Sequence, residues 1–370
     1  MKYYLIAGEA SGDLHGANLI KEIKIQDPEA EFRAWGGDKM RNSGATLAQH
    51  YKDLAFMGLV DVLKNLKTIK KFLKLCKKDI ALYRPDKIIF IDYPGFNLRI
   101  AEYAYHQKIE THYFISPKLW AWNTNRIKKI KKYIKQMLVI FPFEESFYAQ
   151  YNYPVKYVGH PLHDELSNWR NTKGEAAAKK LQNQYNKPII GLLPGSRKQE
   201  IVAHSKLLCR LAELYPSYQF VVAGAPSIDL SFYQKNCLSK KVPIIYDETY
   251  ALIQASKVCI VASGTASLET ALLKTPQLVI YKTNDLSYQV GKKLIKVKFL
   301  SLVNLILNKK AVPEIIQYKF QLRNLKKQLD LLLHSRPIQK QTEIDYQNLQ
   351  NILGDTGASK RAAQEIVTFG

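Results

Sequence analysis

The chain has 370 residues, 46% of them hydrophobic and 24% charged, which fits a globular protein of two domains and excludes a disordered one. Its 55 Lys and Arg against 32 Asp and Glu give a net charge of +23, predicting an anionic partner: nucleic acid, an acidic membrane surface or a phosphorylated substrate. Four scattered cysteines (Cys76, Cys209, Cys237, Cys259) form no metal or disulfide pattern and fit a reducing cytoplasm. No signal peptide is evident and no uncharged apolar run is long enough to span a bilayer, so membrane contact is expected to be peripheral.

Residues 2–7 (KYYLIA) read as a first strand, followed by GEASGDLHGANLIKEI. Gly8, Gly12 and Gly16 punctuate a strand-to-helix junction, but their spacing is not G-x-G-x-x-G, and no acidic residue ends a second strand at the usual distance. A dinucleotide site is therefore not expected. A glycine-lined loop at a strand's carboxyl end still suggests close ligand approach, which makes Glu9, Ser11 and Asp13 candidate acceptor or cleft residues.

A second strand covers 31–35. In the stretch that follows, Lys64, Lys67, Lys70, Lys71, Lys74, Lys77 and Lys78 share one side of a helical wheel, with Leu66, Ile69, Phe72, Leu73 and Cys76 on the other. Such a basic amphipathic helix packs its apolar face on a sheet or meets anionic lipid. For the second use the candidate membrane contacts are Phe56, Met57, Leu59, Phe72 and Leu73.

The strand at 86–92 (DKIIFID) ends on Asp92, where open α/β sheets place their ligands. A carboxylate there can orient or deprotonate a hydroxyl, or it can structure the Pro94–Gly95 turn. Asn97 follows in the turn and helix and joins the candidate cleft set. After a strand at 111–115, Trp120 and Trp122 stand beside a run of Arg126, Lys128, Lys129, Lys131, Lys132 and Lys135. Aromatics interleaved with basic residues can stack on bases, frame a sugar or acyl chain, or cover the core, and Trp120 is the candidate for the cleft. A strand at 137–141, a short helix and VKYVGHPL close this half, with His160 read as a structural loop residue.

A polar segment, 167–187, marks the change of domain. The run 189–193 is short and continuously apolar, as a buried parallel strand should be. Pro194 and Gly195 break it, Ser196 can cap the next helix, and Arg197 and Lys198 arrive where backbone N–H groups would be free. That loop suits a phosphate, or is an ordinary turn with solvated basic residues. Further strands are expected at 218–223, 242–246, 257–262 and 277–281. SGTASLETALL opens a helix with Ser263, Gly264 and Thr265, and Glu269 one turn in can take two vicinal hydroxyls or simply complement the helix dipole. Two such loops in one half point to a nucleotide diphosphate. Residues 312–370 read as helical.

Fold class is thus α/β, with two doubly wound Rossmann-like domains facing a cleft: 1–165 for the acceptor and membrane, 166–335 for a nucleotide sugar, followed by a helical segment, 336–370. No G-x-x-x-x-G-K-[ST] sequence and no D-x-D pair occurs, so neither a P-loop nor a carboxylate-held metal is expected, and no cofactor.

In this order, GEASGDLHGA, GLVDVL, IDYPGFN, SPKLWAW, VGHPL, LLPGSRKQEI and SGTASLETALL resemble the motifs of the lipid A disaccharide synthase family, over about residues 3–320. The resemblance implies a B-type glycosyltransferase fold (GT-B) and transfer of 2,3-diacylglucosamine from UDP to 2,3-diacylglucosamine 1-phosphate, with inversion, at the cytoplasmic face of the inner membrane. It implies that Asp92 is the base of a DxPxFN motif, that Arg197 is the arginine of a PGSR loop and Glu269 the glutamate of SGTxxLE, and that Asn304 and Glu314 lie in a nucleotide segment, SLPNL…PEL, where Val303 replaces the proline. With the loop residues Gly195, Ser196, Ser263, Gly264 and Thr265 these make the expected nucleotide diphosphate site. It also implies a homodimer that exchanges C-terminal segments. Other readings are a lipid-linked glycosyltransferase, a UDP-N-acetylglucosamine epimerase, or a basic nucleic-acid-binding protein. The last lacks an RRM or KH motif and leaves the two phosphate loops unexplained, so no nucleic acid is expected.

Overall fold

The computed structural model describes residues 1–54, 66–236, 242–294 and 297–369. The chain divides into two compact units, Met1–Asp164 with Asp355–Gly370, and Glu165–Gly354. The segment from 336 onward divides between them. The helix Arg336–Leu353 lies in the second unit, where Gln277 Nε2 donates to Tyr346 Oη at 3.1 Å. The helix Ala358–Thr368 lies in the first and packs Ala358, Ala362, Ala363 and Ile366, all fully buried, toward the helix Ala10–Gln26.

In the first unit β1 (Lys2–Ala7), β2 (Glu31–Gly36), β3 (Thr46–His50), β4 (Lys87–Ile91), β5 (Glu110–Phe114), β6 (Gln136–Val139) and β7 (Lys156–Tyr157) form a parallel sheet of order β3-β2-β1-β4-β5-β6-β7. Every residue of β4 is buried, as an apolar run covered on both faces requires. The strand order reverses direction between β1 and β4, so the crevice at their carboxyl ends is the topological switch point. Gly8 and Asp92 follow those two strands.

The second unit repeats the plan. Here β8 (Ile189–Leu193), β9 (Gln219–Gly224), β10 (Ile244–Tyr246), β11 (Ser256–Ala262), β12 (Gln277–Tyr281) and β13 (Glu314–Ile316) run parallel in the order β10-β9-β8-β11-β12-β13. The switch falls between β8 and β11, whose carboxyl ends carry Pro194–Arg197 and Ser263–Thr265. These are the two loops singled out from sequence.

Two expectations are corrected here. Residues 314–316, read as helical, form β13, because Ile315 and Ile316 extend after Pro313 and pair with Ile280 and Tyr281. The apolar side of the helix Leu66–Tyr83 faces the protein: Phe72 meets Trp35 edge-on at 6.1 Å and Leu73 packs on the same core beside buried Cys76 and Ile80. Phe72 and Leu73 are therefore partly buried against the core rather than presented as a membrane-facing stripe, while Lys67, Lys70, Lys71, Lys74 and Lys78 remain exposed. Phe56, Met57 and Leu59 lie outside the described residues. Among the described residues no helix is long and apolar enough to cross a membrane.

Candidate active site

The switch point of the first unit is built around a forced turn. Asp92 and Tyr93 both adopt left-handed backbone conformations (φ 44° and 48°), each unfavourable by about 1–2 kcal/mol for an L-residue. The surroundings hold them there. The Asp92 carbonyl accepts Asn97 Nδ2 at 2.7 Å and the Tyr113 hydroxyl at 2.5 Å, and the Asp92 N–H donates to Phe114 O at 3.3 Å. Tyr93 then lies against Gly8, where a Cβ would come within 2.6 Å of its ring, so this glycine admits the protein's own aromatic ring.

The carboxyl group of Asp92 is half-buried. Burial raises its proton affinity above the usual carboxylate range, Lys118 opposes the rise, Glu9 adds to it, and the Tyr93 N–H bonded to it opposes it again. Glu9 and Ser11 are exposed at the start of the helix Ala10–Gln26.

Three other candidates in this unit are positioned differently from expectation. Asp13 is buried and accepts the N–H groups of Gly37, Lys39 and Met40 at 2.7, 3.1 and 3.1 Å, capping the short helix Asp38–Asn42. It is not available to an acceptor. Asn97 is fully buried and ties the ends of β1 and β4 to the Asp92 turn. Trp120 is half-buried, with its indole N–H on Glu144 Oε1 at 3.2 Å and its ring edge-on to Phe141 and Phe143. Glu144 also takes Ser116 Oγ and the N–H groups of Ile140 and Phe141, yet burial pushes its carboxyl up to about 7.

In the second unit, the strand-ending loop holds Gly195 at φ 114°, and Arg197, not Ser196, is the N-cap of the helix Lys198–Glu213. Glu200 supplies the capping contacts, accepting the N–H groups of Ser196 and Arg197 at 3.1 and 3.3 Å. These amides are thus not free, as the sequence suggested, but held by a carboxylate of the same loop. His204, fully buried, joins this loop to the end of β12. By contrast, the N-cap of the helix Thr265–Leu272 is a glycine, no capping side chain is found there among the described residues, and the space beside Gly264 is open. Ser263 Oγ donates to Leu300 O. Burial pushes Glu269 up to about 7, with Glu165 adding to the rise. Among the described residues no group of three His, Cys, Asp or Glu side chains is close enough to hold a metal ion.

Asn304 and Glu314 form a closed unit. Asn304 is fully buried: its amide donates to Val312 O and Glu314 Oε1 and accepts the N–H groups of Ala311 and Val312, all at 2.8–2.9 Å. Glu314 takes the N–H groups of Leu300 and Ser301 at 3.2 and 2.8 Å, at the start of the helix Leu302–Leu307. Asn304 thus spends its amide on protein groups, and Glu314 holds the backbone at Leu300 and Ser301 as well as Asn304.

The sequence matches the family described as lipid-A-disaccharide synthetase over residues 3–367. The chain belongs to the lipid-A-disaccharide synthetase family. It is 34% identical over 365 residues to the lipid-A-disaccharide synthase of Geobacter metallireducens, covering 97% of this chain and 94% of that one. It is 39% identical over 321 residues to lipid-A-disaccharide synthase 1 of Legionella pneumophila subsp. pneumophila, covering 85% and 83%. Membership makes it a glycosyltransferase of lipid A biosynthesis. Among solved structures, it is similar to UDP-GlcNAc 2-epimerase from Neisseria meningitidis bound to UDP-GlcNAc, with TM-score 0.62, 15% identity and coverage of 99% and 100%. It is also similar to the glycotransferase of kitacinnamycin, with TM-score 0.65, 12% identity and coverage of 99% and 98%. At these identities the likeness is one of fold, the GT-B fold.

For this family member, sequence reasoning missed Glu200, Glu144 and His204. A glutamate three residues after an N-cap was a legible signal for Glu200. His204 sits on the apolar stripe Ile201–Leu208–Leu211, where a polar side chain must find buried partners. No local pattern marks Glu144.

Proposed function

We propose that this glycosyltransferase joins the acylated sugar of UDP-2,3-diacylglucosamine to the 6-hydroxyl of 2,3-diacylglucosamine 1-phosphate, giving the β(1→6) disaccharide 1-phosphate and UDP. Asp92 is the observation that carries the reading. Its carboxylate stands at a strand switch point, with a proton affinity raised toward that needed of a general base. It takes the proton of the acceptor hydroxyl as the oxygen bonds to the anomeric carbon. The bond from that carbon to the UDP oxygen breaks on the opposite face, which inverts the centre. Glu9 and Ser11 border the acceptor, and Trp120 walls it.

The departing diphosphate is stabilised by the amides of Gly264 and Thr265 with the helix dipole behind them and by Arg197 from the Gly195–Ser196 loop, while Ser263, whose hydroxyl donates to Leu300 O, fixes the neighbouring backbone. Glu269 takes a pair of vicinal hydroxyls. Asn304 and Glu314 act indirectly, fixing the backbone at 300–312. Acylated substrates reside in a bilayer, and the exposed lysines of the helix Leu66–Tyr83 suit an anionic surface, which supports peripheral binding at the cytoplasmic face of the inner membrane.

Incubating the purified chain with both acylated substrates, with and without a metal chelator, tests the reading. The expected result is disaccharide and UDP in equal amounts, unaffected by the chelator. Absence of disaccharide, or epimerisation of UDP-N-acetylglucosamine without lipid acceptor, would overturn it.

A further inference from the structure

The loop at Pro194–Arg197 already contains an anion, and it comes from the chain itself. Glu200 Oε2 accepts the N–H of Ser196 at 3.1 Å and that of Arg197 at 3.3 Å, while Oε1 stands 3.3 Å from Arg197 Nη1. The carboxylate folds back over the loop so closely that a Cβ on Gly195 would lie 2.7 Å from Glu200 Cβ. These donors, two adjacent amides and a guanidinium, are the set that a phosphate oxygen uses. The hold on them is loose. One oxygen is shared between two amides, and the Arg197 side chain is 79% exposed, where ion pairs exchange readily with solvent and with other anions.

We propose that Glu200 is an internal occupant of the phosphate loop, keeping its donors ordered in the free enzyme and giving them up to the diphosphate of the nucleotide. The inference rests on the reading of this loop as a phosphate site. Nucleotide binding is then an exchange of one anion for another. The displaced carboxylate remains within one helical turn of the incoming phosphate and repels it. Glu200 therefore lowers the affinity for UDP while preserving the loop's shape, which favours release of UDP after transfer. It is a positioning residue, acting through Ser196 and Arg197.

Glu200→Gln separates this from a purely structural cap, because the amide oxygen still accepts from Ser196 and Arg197 but carries no charge. Calorimetry at fixed ionic strength compares UDP, uridine and inorganic pyrophosphate. UDP and pyrophosphate should bind about three- to tenfold more tightly to the variant, as loss of one partly screened charge at this range requires, with uridine unchanged. Unchanged or weakened UDP binding would overturn the exchange.

Arg197→Ala, measured in parallel, reports on the loop itself. If it leaves UDP affinity at the wild-type level, the phosphate-site reading fails and the exchange with it. If it weakens UDP while Glu200→Gln does not tighten it, only the exchange fails. Should the Gln variant not fold, the wild-type enzyme supplies the check. The amide resonances of Ser196 and Arg197 should shift on adding pyrophosphate but not uridine, and resonances that stay in place would refute the proposal.

Discussion

The backbone N–H of Lys282, just past β12, donates to Nε2 of His204 at 3.1 Å. That contact fixes the tautomer. With Nε2 accepting, Nδ1 carries the hydrogen and donates to Pro194 O at 2.8 Å, so one neutral imidazole ties the end of β8 to the end of β12. His204→Ala leaves the Lys282 amide and the buried Pro194 carbonyl without their partner beside a cavity, and should cost about 2–4 kcal/mol in denaturant unfolding. UDP affinity should fall with it, because the Pro194 loop loses its anchor. His204→Gln, with a donor and an acceptor of its own, should recover part of both.

Burial also sets the sign of a pH effect. His160 is pushed down to about 3 and His15 to about 4, so the folded chain binds fewer protons than the unfolded chain below the ordinary histidine value of about 6.5. Their stability contribution is complete above that value and is lost as pH falls through it toward the folded values. Glu144 and Glu269, raised to about 7, act oppositely between about pH 7 and 4.5. The clean observable is therefore a difference. From pH 7.5 to pH 5, wild type should lose about 2 kcal/mol more unfolding free energy than His160→Asn, in which the amide oxygen replaces the Nδ1 that accepts the N–H of Leu162.

The charges around Asp92 make its assignment testable without removing it. Glu9 raises its proton affinity and Lys118 lowers it. In a pH profile of kcat/KM, the acid limb should lie above the usual carboxylate range. It should move to lower pH in Glu9→Gln and to higher pH in Lys118→Met. Asp92→Asn should reduce turnover by about 100- to 10,000-fold, the usual worth of a general base, with UDP affinity by calorimetry within twofold of wild type. Coincident profiles for all three enzymes that retain Asp92 would remove it from the proton-transfer step.

Asp13 offers a stability test that contrasts with its neighbours on the same helix. It serves three backbone N–H groups from within the fold, and Asp13→Ala should cost about 2–4 kcal/mol through those unsatisfied donors. Ser11→Ala, exposed two residues earlier, should change the unfolding free energy by less than about 0.5 kcal/mol.

The strands that sequence patterning identified and those it missed differ in position within the sheets. Runs such as Lys87–Ile91 and Ile189–Leu193 are central and buried along their length, so their apolar character is continuous and legible. Thr46–His50, Lys156–Tyr157 and Glu314–Ile316 are edge strands of two to five residues, fixed by pairing to a neighbour already in place. Pairing is a tertiary fact that no local pattern encodes. The site divides in a similar way. The donors at Ser196–Arg197 and at Thr265 were legible because strand-to-helix turns expose amides. Of their occupants, Glu200 was marked by its place three residues after the N-cap, whereas Asp13 and Glu314 were not, because whether such a side chain fills the position depends on where it folds back.

The helix Ala358–Thr368 completes the first unit from the far end of the chain. Asp164 accepts the N–H groups of Gly357 and Ser359, and Lys87 Nζ binds the carbonyls of Ile366 and Phe369 at 2.7 and 2.6 Å. During synthesis the seven-stranded sheet emerges first, yet the side of Ala10–Gln26 that this helix covers stays bare until the second unit has been translated in full. The ribosome therefore delivers a nascent amino-terminal unit that is unfinished for nearly two hundred residues, a window in which chaperones can engage it and a premature stop would leave it open.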